Sequence, residues 1–190
     1  MKKSRQGKKI ITVQTPIDEG QIKNLKVGDQ IEIQGMIYCG RDAVLPRLAR
    51  LTEDHDLHGI EVNLKGAVIF HTAVSPSGIG PTTSNKDQIE GSIPSLSKQG
   101  VKIHLGKGSL GSATIEALKK HNSVFAVTPP VTALLRQKII SKRIAAFKEE
   151  GMEALYELEV EQLPAIIAIA HGESIFTNHH VEGGIGNVER

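Results

Sequence analysis

The stretch from Val101 to His121, VKIHLGKGSLGSATIEALKKH, decides how the chain is read. Val101 to Leu105 is short and apolar-rich, and predicts a strand. Gly106-Lys107-Gly108-Ser109-Leu110-Gly111 follows, with glycines spaced G-x-G-x-x-G. Ser112 to His121 reads as a helix. Strand, glycine loop and helix in that order form the repeating unit of layered α/β proteins. The spacing is that of a dinucleotide fingerprint, but the fingerprint needs an acidic residue about 20 positions on to hold a ribose. Between Glu116 and Glu149 there is no Asp or Glu. What survives is the physics of the loop. Glycines let backbone approach a ligand, helix-terminal amides favour an anion, and Lys107 adds a positive charge. A small carboxylate or phosphate suits such a loop; a tight strand-to-helix turn with no ligand is the plainer alternative.

The same alternation extends in both directions. Upstream, Ile10 to Gln14 reads as a strand stopped by Pro16, Asp18 to Leu25 as one or two helical turns, and Gly28-Asp29 as a turn. Gln30 to Tyr38 alternates like a half-buried strand. Gly40 breaks it, and Arg41 to Leu51 has helical spacing with Pro46 inside, which either opens that helix late or kinks it. Thr52 to Asp56 reads as a polar loop, and Ala67 to Phe70 as a strand buried on both faces. His71 to Asp87 has no periodicity and reads as a long functional loop. A weak helix is expected around Gln88 to Lys98. Downstream, Val124 to Val127 reads as a strand ended by Pro129-Pro130. A helical pattern runs from Val131 through Leu135 and Ile139 until Gly151. Tyr156 to Val160 and Ala165 to Ala170 read as two strands. The expected fold class is α/β with a mixed sheet. Residues 1–9 form a basic flexible arm, 10–178 a single domain, and 179–190 a loose tail.

The chain has 190 residues, enough for one domain with its own core. Aromatics are 3% with no Trp, so Ile, Val, Leu and Ala must build that core. The net charge of +2 lacks the basic excess of a nucleic-acid binder. No apolar run approaches a membrane span, and no secretory signal is evident. One cysteine, Cys39, excludes an internal disulfide and a cysteine-ligated cluster made by this chain alone. Cys39 itself reads as a small buried hydrophobe. The expectation is a soluble cytoplasmic protein with no membrane or nucleic-acid partner.

Three further segments carry candidate chemistry. Gly80-Pro81-Thr82-Thr83-Ser84-Asn85-Lys86-Asp87 offers three hydroxyls where a helix cap needs one, so the surplus suits a ligand. Gly40-Arg41-Asp42 lies at a strand-to-helix junction, where Arg41 can clamp a carboxylate with two parallel hydrogen bonds. His71 ends a buried strand and reads as structural unless a partner is found for it. His179-His180 is too isolated for a metal site.

In order along the chain come GRDAVLPRL at Gly40, GPTTSNKD at Gly80, LGKG at Leu105, VFAVTPPVTALL at Val124 and GMEALYELEVEQLPAIIAI at Gly151. This set resembles the β subunit, or C-terminal domain, of the iron–sulfur class I fumarate hydratases and L-tartrate dehydratases, from about Ile10 to Phe176. The resemblance implies a swivelling β/β/α domain of a hydro-lyase. It implies a [4Fe–4S] cluster held by three cysteines of a partner α subunit, none bound by this chain alone, in a hetero-oligomer with a homodimeric core. By the same resemblance Arg41 and Lys86 hold substrate carboxylates, with Thr83, Gly106 and Gly108 in the binding set. Thr82 is the candidate base, and Lys107 binds substrate and assists proton traffic. Lys86 stands where the family usually has Arg, a point charge replacing a planar fork. His71-Thr72-Ala73-Val74 looks like the two-subunit form. The implied reaction is fumarate hydration to (S)-malate in the tricarboxylic acid cycle, with L(+)-tartrate dehydration as the alternative. A stand-alone anion- or nucleotide-binding module is the alternative of another class.

Overall fold

The computed structural model describes residues 9–56, 58, 60–75, 78–82, 86–129 and 132–176; for 80–82, 86–89 and 132 it describes the backbone. Most of the basic arm and the whole 179–190 tail lie outside the described residues.

β1 (Ile11–Gln14), β2 (Gln30–Gly40), β3 (Val68–Ser75), β5 (Ile103–Gly106) and β6 (Val124–Val127) run parallel to their neighbours in the order β1-β2-β3-β5-β6. β8 (Leu155–Ala170) is antiparallel to β6 and also to β2, so the mixed sheet closes on itself. β4 (Gly78–Thr82) pairs with β3, β7 (Ile139–Ala146) with β8, and the short β9 (Glu173–Ser174) with the end of β8. Helices α1 (Glu19–Asn24), α2 (Leu45–Glu53), α3 (Lys86–Lys98), α4 (Ser112–Lys120) and α5 (Thr132–Arg136) connect the strands.

Alternation of side chains along each strand separates two cores. Ile33, Ile37 and Cys39 of β2, Phe70 of β3, Leu105 of β5 and Leu163 of β8 fill the inside of the closed sheet. Tyr38, Ile69 and Leu155 face outward against Leu45 and Leu48 of α2 and Leu96 of α3. Phe125 and Ile169 pack on Leu118 of α4 and Ile93 of α3. With each such side chain stabilising by ~1.5–3 kcal/mol on burial, aliphatic residues suffice without tryptophan. One outward row is polar. Tyr38, Glu157 and Arg143 are register partners across β2, β8 and β7, and Glu157, nearly buried, is ion-paired with Arg143. The Tyr38 hydroxyl accepts from the Asn63 amide at 3.1 Å.

Pro46 opens α2 instead of kinking it, because the first turn has no intrahelical partner for an N–H. The helix also runs on through Thr52 and Glu53, which the sequence reads as loop; Thr52 donates to the Ala49 carbonyl at 2.7 Å. Four other expectations are corrected. The strand beginning at Val101 starts at Ile103. The stretch from His71 to Asp87 is not one loop: β3 continues to Ser75, and β4 returns as far as Thr82. The helical pattern from Val131 past Ile139 ends after the five residues of α5, because Ile139 to Ala146 pairs with Leu155 to Val160 as an edge strand. Its exposed Lys142 and Arg143 are the charges that protect a sheet edge. The two strands expected at 156–160 and 165–170 are one 16-residue strand, since β2 pairs with both halves.

Candidate active site

Parallel α/β sheets bind ligands beyond the carboxyl ends of their strands. Here Gly40 at the end of β2 is in register with His71 of β3, and Phe70 of β3 with Leu105 of β5, one residue before Gly106. Arg41 and Lys107 therefore leave the same rim from strands on either side of β3. Two strand spacings, about 10 Å, separate the strands they leave. Thr82 on β4 is in register with Thr72, one residue past His71, so its backbone belongs to that rim as well. Lys86 is the first residue of α3. Nothing is described of the Thr82 and Lys86 side chains, and Thr83 lies outside the described residues.

Gly40 is required by close approach: a Cβ there would stand 2.8 Å from Val44 Cγ2 and 3.2 Å from Leu155 Cδ1. That contact turns the chain from β2 into the Arg41 loop. Arg41 is half-buried. Its Nη1 lies 3.5 Å from Glu153 Oε1 and its Nη2 4.0 Å from Asp42 Oδ2. Its Nε is buried and has no partner, alone in this among the buried side-chain nitrogens and oxygens of the described residues. An unpaired buried donor costs about 1–3 kcal/mol, so an acceptor from outside the chain would be stabilising here.

Lys107 is exposed, and Gly108 reaches φ +77° with open space where a Cβ would be. Gly106 rests against the Phe125 ring. The helix end expected to await an anion already has one: Glu90 Oε2 accepts from the Gly111 amide at 2.8 Å and from Thr114 Oγ1 at 2.7 Å. A carboxylate of the chain's own thus complements the positive end of α4. The charge of Lys107 is what this loop offers a ligand.

His71 has the partner the sequence could not show. Its Nε2 lies 3.2 Å from His104 Nδ1, and His104 Nε2 lies 2.9 Å from Ser97 Oγ of α3. Both rings are buried; burial pushes His71 down to about 4 and His104 well below the usual range, the latter also through the charge of His71. Cys39 lies inside the closed sheet, where burial pushes its thiol up, so it is not poised to ligate iron. Among the described residues no three His, Cys, Asp or Glu side chains are grouped to hold a metal, and the side chains described there do not fit an iron–sulfur cluster. Neither Glu153 nor Glu90 was marked by the sequence as part of the site. Glu153 lies within the GMEALYELEVEQLPA run, which was a signal without a role.

Fold and site together define an α/β protein whose parallel strands end in a rim that carries Arg41 and Lys107. The chain belongs to the fumarase C-terminus family, whose model matches residues 1–179. A chain of Geobacillus stearothermophilus named as a class I fumarate hydratase is 34% identical over 182 residues, covering 88% of this chain and 34% of that protein. The aerobic class I fumarate hydratase of Escherichia coli K12 is 26% identical over 182 residues, covering 89% and 32%. The L(+)-tartrate dehydratase subunit beta of the same strain is 30% identical over 186 residues, covering 90% and 88%. The chain thus spans about a third of the length of the fumarate hydratases it matches. Among the described residues no helix is long and apolar enough to cross a membrane.

Proposed function

We propose that the chain is the substrate-closing subunit of a hydro-lyase acting on a small dicarboxylate, fumarate and (S)-malate first. The observation that carries this reading is the buried, unpartnered Nε of Arg41 on the rim that Lys107 shares. A guanidinium binds a carboxylate through two parallel N–H groups, and an ammonium attracts a second carboxylate as a point charge. About 10 Å between the strands that lead to them leaves room for a four-carbon dicarboxylate between long side chains. Lys86 would add to the cationic set, with Thr83 and the backbone of Gly106 and Gly108 lining it. Thr82 is the proposed proton acceptor. A threonine hydroxyl is a very weak base, so it serves only where neighbouring cations lower its pKa or the partner's iron would acidify the substrate.

The [4Fe–4S] cluster belongs in this reading to a partner α subunit, and the setting to the cytoplasm. Support for a partner is the relative that is itself a β subunit and matches over most of both lengths. That relative also favours L(+)-tartrate dehydration as the second reading. The test is anaerobic reconstitution of the chain with a cluster-bearing partner, followed by turnover of fumarate, (S)-malate and L(+)-tartrate. Turnover of fumarate above tartrate upholds the first reading and the reverse order upholds the second. A reconstituted complex inert on all three overturns both.

A further inference from the structure

A guanidinium can grip a carboxylate along either of two edges, Nε with Nη2 or Nη1 with Nη2. In this chain its own carboxylates stand nearest Nη1 and Nη2, and none is bonded to Nε. Glu153, the last residue of the turn Lys148–Glu153, stands 3.5 Å from Nη1 of Arg41. Asp42 is 4.0 Å from Nη2, beyond hydrogen-bond distance. Nε keeps a buried N–H with no acceptor. We propose that Glu153 is a positioning residue: by holding Nη1, it aims the Nε–Nη2 edge of Arg41 at the rim as the seat for one substrate carboxylate. This rests on the proposed dicarboxylate function.

The turn is built to hold Glu153 still. The Arg47 guanidinium bonds Glu149 at 2.7 Å and stacks over Phe147, 4.4 Å from the ring centre. Phe147 adopts φ +56°, a conformation a bulky residue keeps only where packing enforces it. Tyr156 Oη donates to the Gly151 carbonyl at 3.1 Å. Directly after Glu153, the buried Ala154 and Leu155 lock the chain into β8. The Glu153 side chain itself is 42% exposed, so removing it opens no cavity in the core. An ion pair that contributes little to stability at such a site can still fix the orientation of its partner.

The test uses the full 190-residue chain, labelled with nitrogen-15, with fumarate as the probe. The Arg41 Nε–H resonance is assigned by its loss in Arg41→Lys. In the wild-type chain it should exchange slowly with solvent and shift on adding fumarate. In Glu153→Ala the backbone amide spectrum should be retained, while Nε–H exchange quickens and fumarate affinity weakens, each about tenfold. Glu153→Gln, which keeps an acceptor oxygen, should fall between. Unchanged exchange and affinity in Glu153→Ala, or in Glu153→Gln should the alanine variant misfold, would overturn the positioning role. A wild-type Nε–H whose protection depends on Glu153, in a chain that binds no fumarate even when reconstituted with a cluster-bearing partner, upholds the positioning role and overturns the dicarboxylate reading.

Discussion

Nε2 of His71 on β3 lies 3.2 Å from Nδ1 of His104 on β5, and both rings are closed off from water between the sheet and α3. A neutral imidazole has one donor and one acceptor nitrogen, so the proton on His104 sets the direction of its bonds to both His71 and Ser97. Charging either ring removes an acceptor from this chain and leaves a buried cation.

The pair therefore makes folding sensitive to acid. Both histidines have folded pKa values below the unfolded value, so the unfolded chain binds more protons as the pH falls. Stability should be full above about pH 6.5 and decline as the pH falls towards 4, where His71 titrates in the fold. The loss should be on the order of 3 kcal/mol from His71 alone. Urea unfolding between pH 7.5 and 4 measures it. His104→Asn should flatten the profile; an equally steep profile in that variant would assign the acid sensitivity to other groups.

Glu90 caps α4 from a different helix. Glu90→Ala leaves the Gly111 amide and the buried Thr114 hydroxyl without that acceptor. The expected cost is about 1–2 kcal/mol, read from chemical denaturation, with Glu90→Gln recovering part of it.

Gly40→Ala and Gly108→Ala separate packing from backbone strain. The first forces a methyl to 2.8 Å from Val44 Cγ2 at the base of the Arg41 loop. It should destabilise by about 1–3 kcal/mol and also weaken fumarate binding. The second meets no atom but places alanine at φ +77°, which should cost roughly 1–2 kcal/mol of stability. Unchanged fumarate binding in Gly40→Ala would show that the Arg41 loop does not depend on the Gly40 contact.

Lys107→Ala removes an exposed charge from the rim and should leave folding intact. In the reconstituted enzyme it should cost about 1.5–3 kcal/mol of transition-state stabilisation. Wild-type turnover in that variant would make the Gly106 to Gly111 loop a purely structural turn.

Thr82→Val keeps the shape of the side chain and removes the hydroxyl. Loss of a general base should slow turnover about 10²–10⁴-fold with substrate affinity nearly unchanged. Thr83→Val, which leaves the proposed base in place, should weaken substrate affinity more than turnover. Anaerobic single-turnover assays, with solvent hydrogen exchange into the substrate carbon, compare the two. Normal exchange in Thr82→Val would move the base to the partner.

Local patterning was enough to read β1, β2, β6, α4 and the glycine loop, because these segments satisfy their own period and their own breakers. The α/β class and the junction residues Arg41 and Lys107 follow from that reading, since a strand-to-helix turn in a parallel sheet leads to one rim. Elements whose form depends on a distant partner could not be read. Ile139 to Ala146 carries helix-compatible spacing, yet becomes a strand because Leu155 to Val160 offers it a ladder. His71 to Ser75 mixes polar and apolar residues and runs into Pro76, yet extends β3 because β4 returns alongside it. Closure of the sheet is the pairing of β2 with β8, segments far apart in the chain whose meeting no local period encodes. The same limit applies at the site. Arg41 was visible as a residue type at a junction, but Glu153 against its Nη1, the bare Nε, Glu90 on α4 and the His71–His104 bond arise only when separate elements pack. Sequence spacing specifies which side chains share a strand or helix face; side-chain distances between elements are decided by the packing of the whole core.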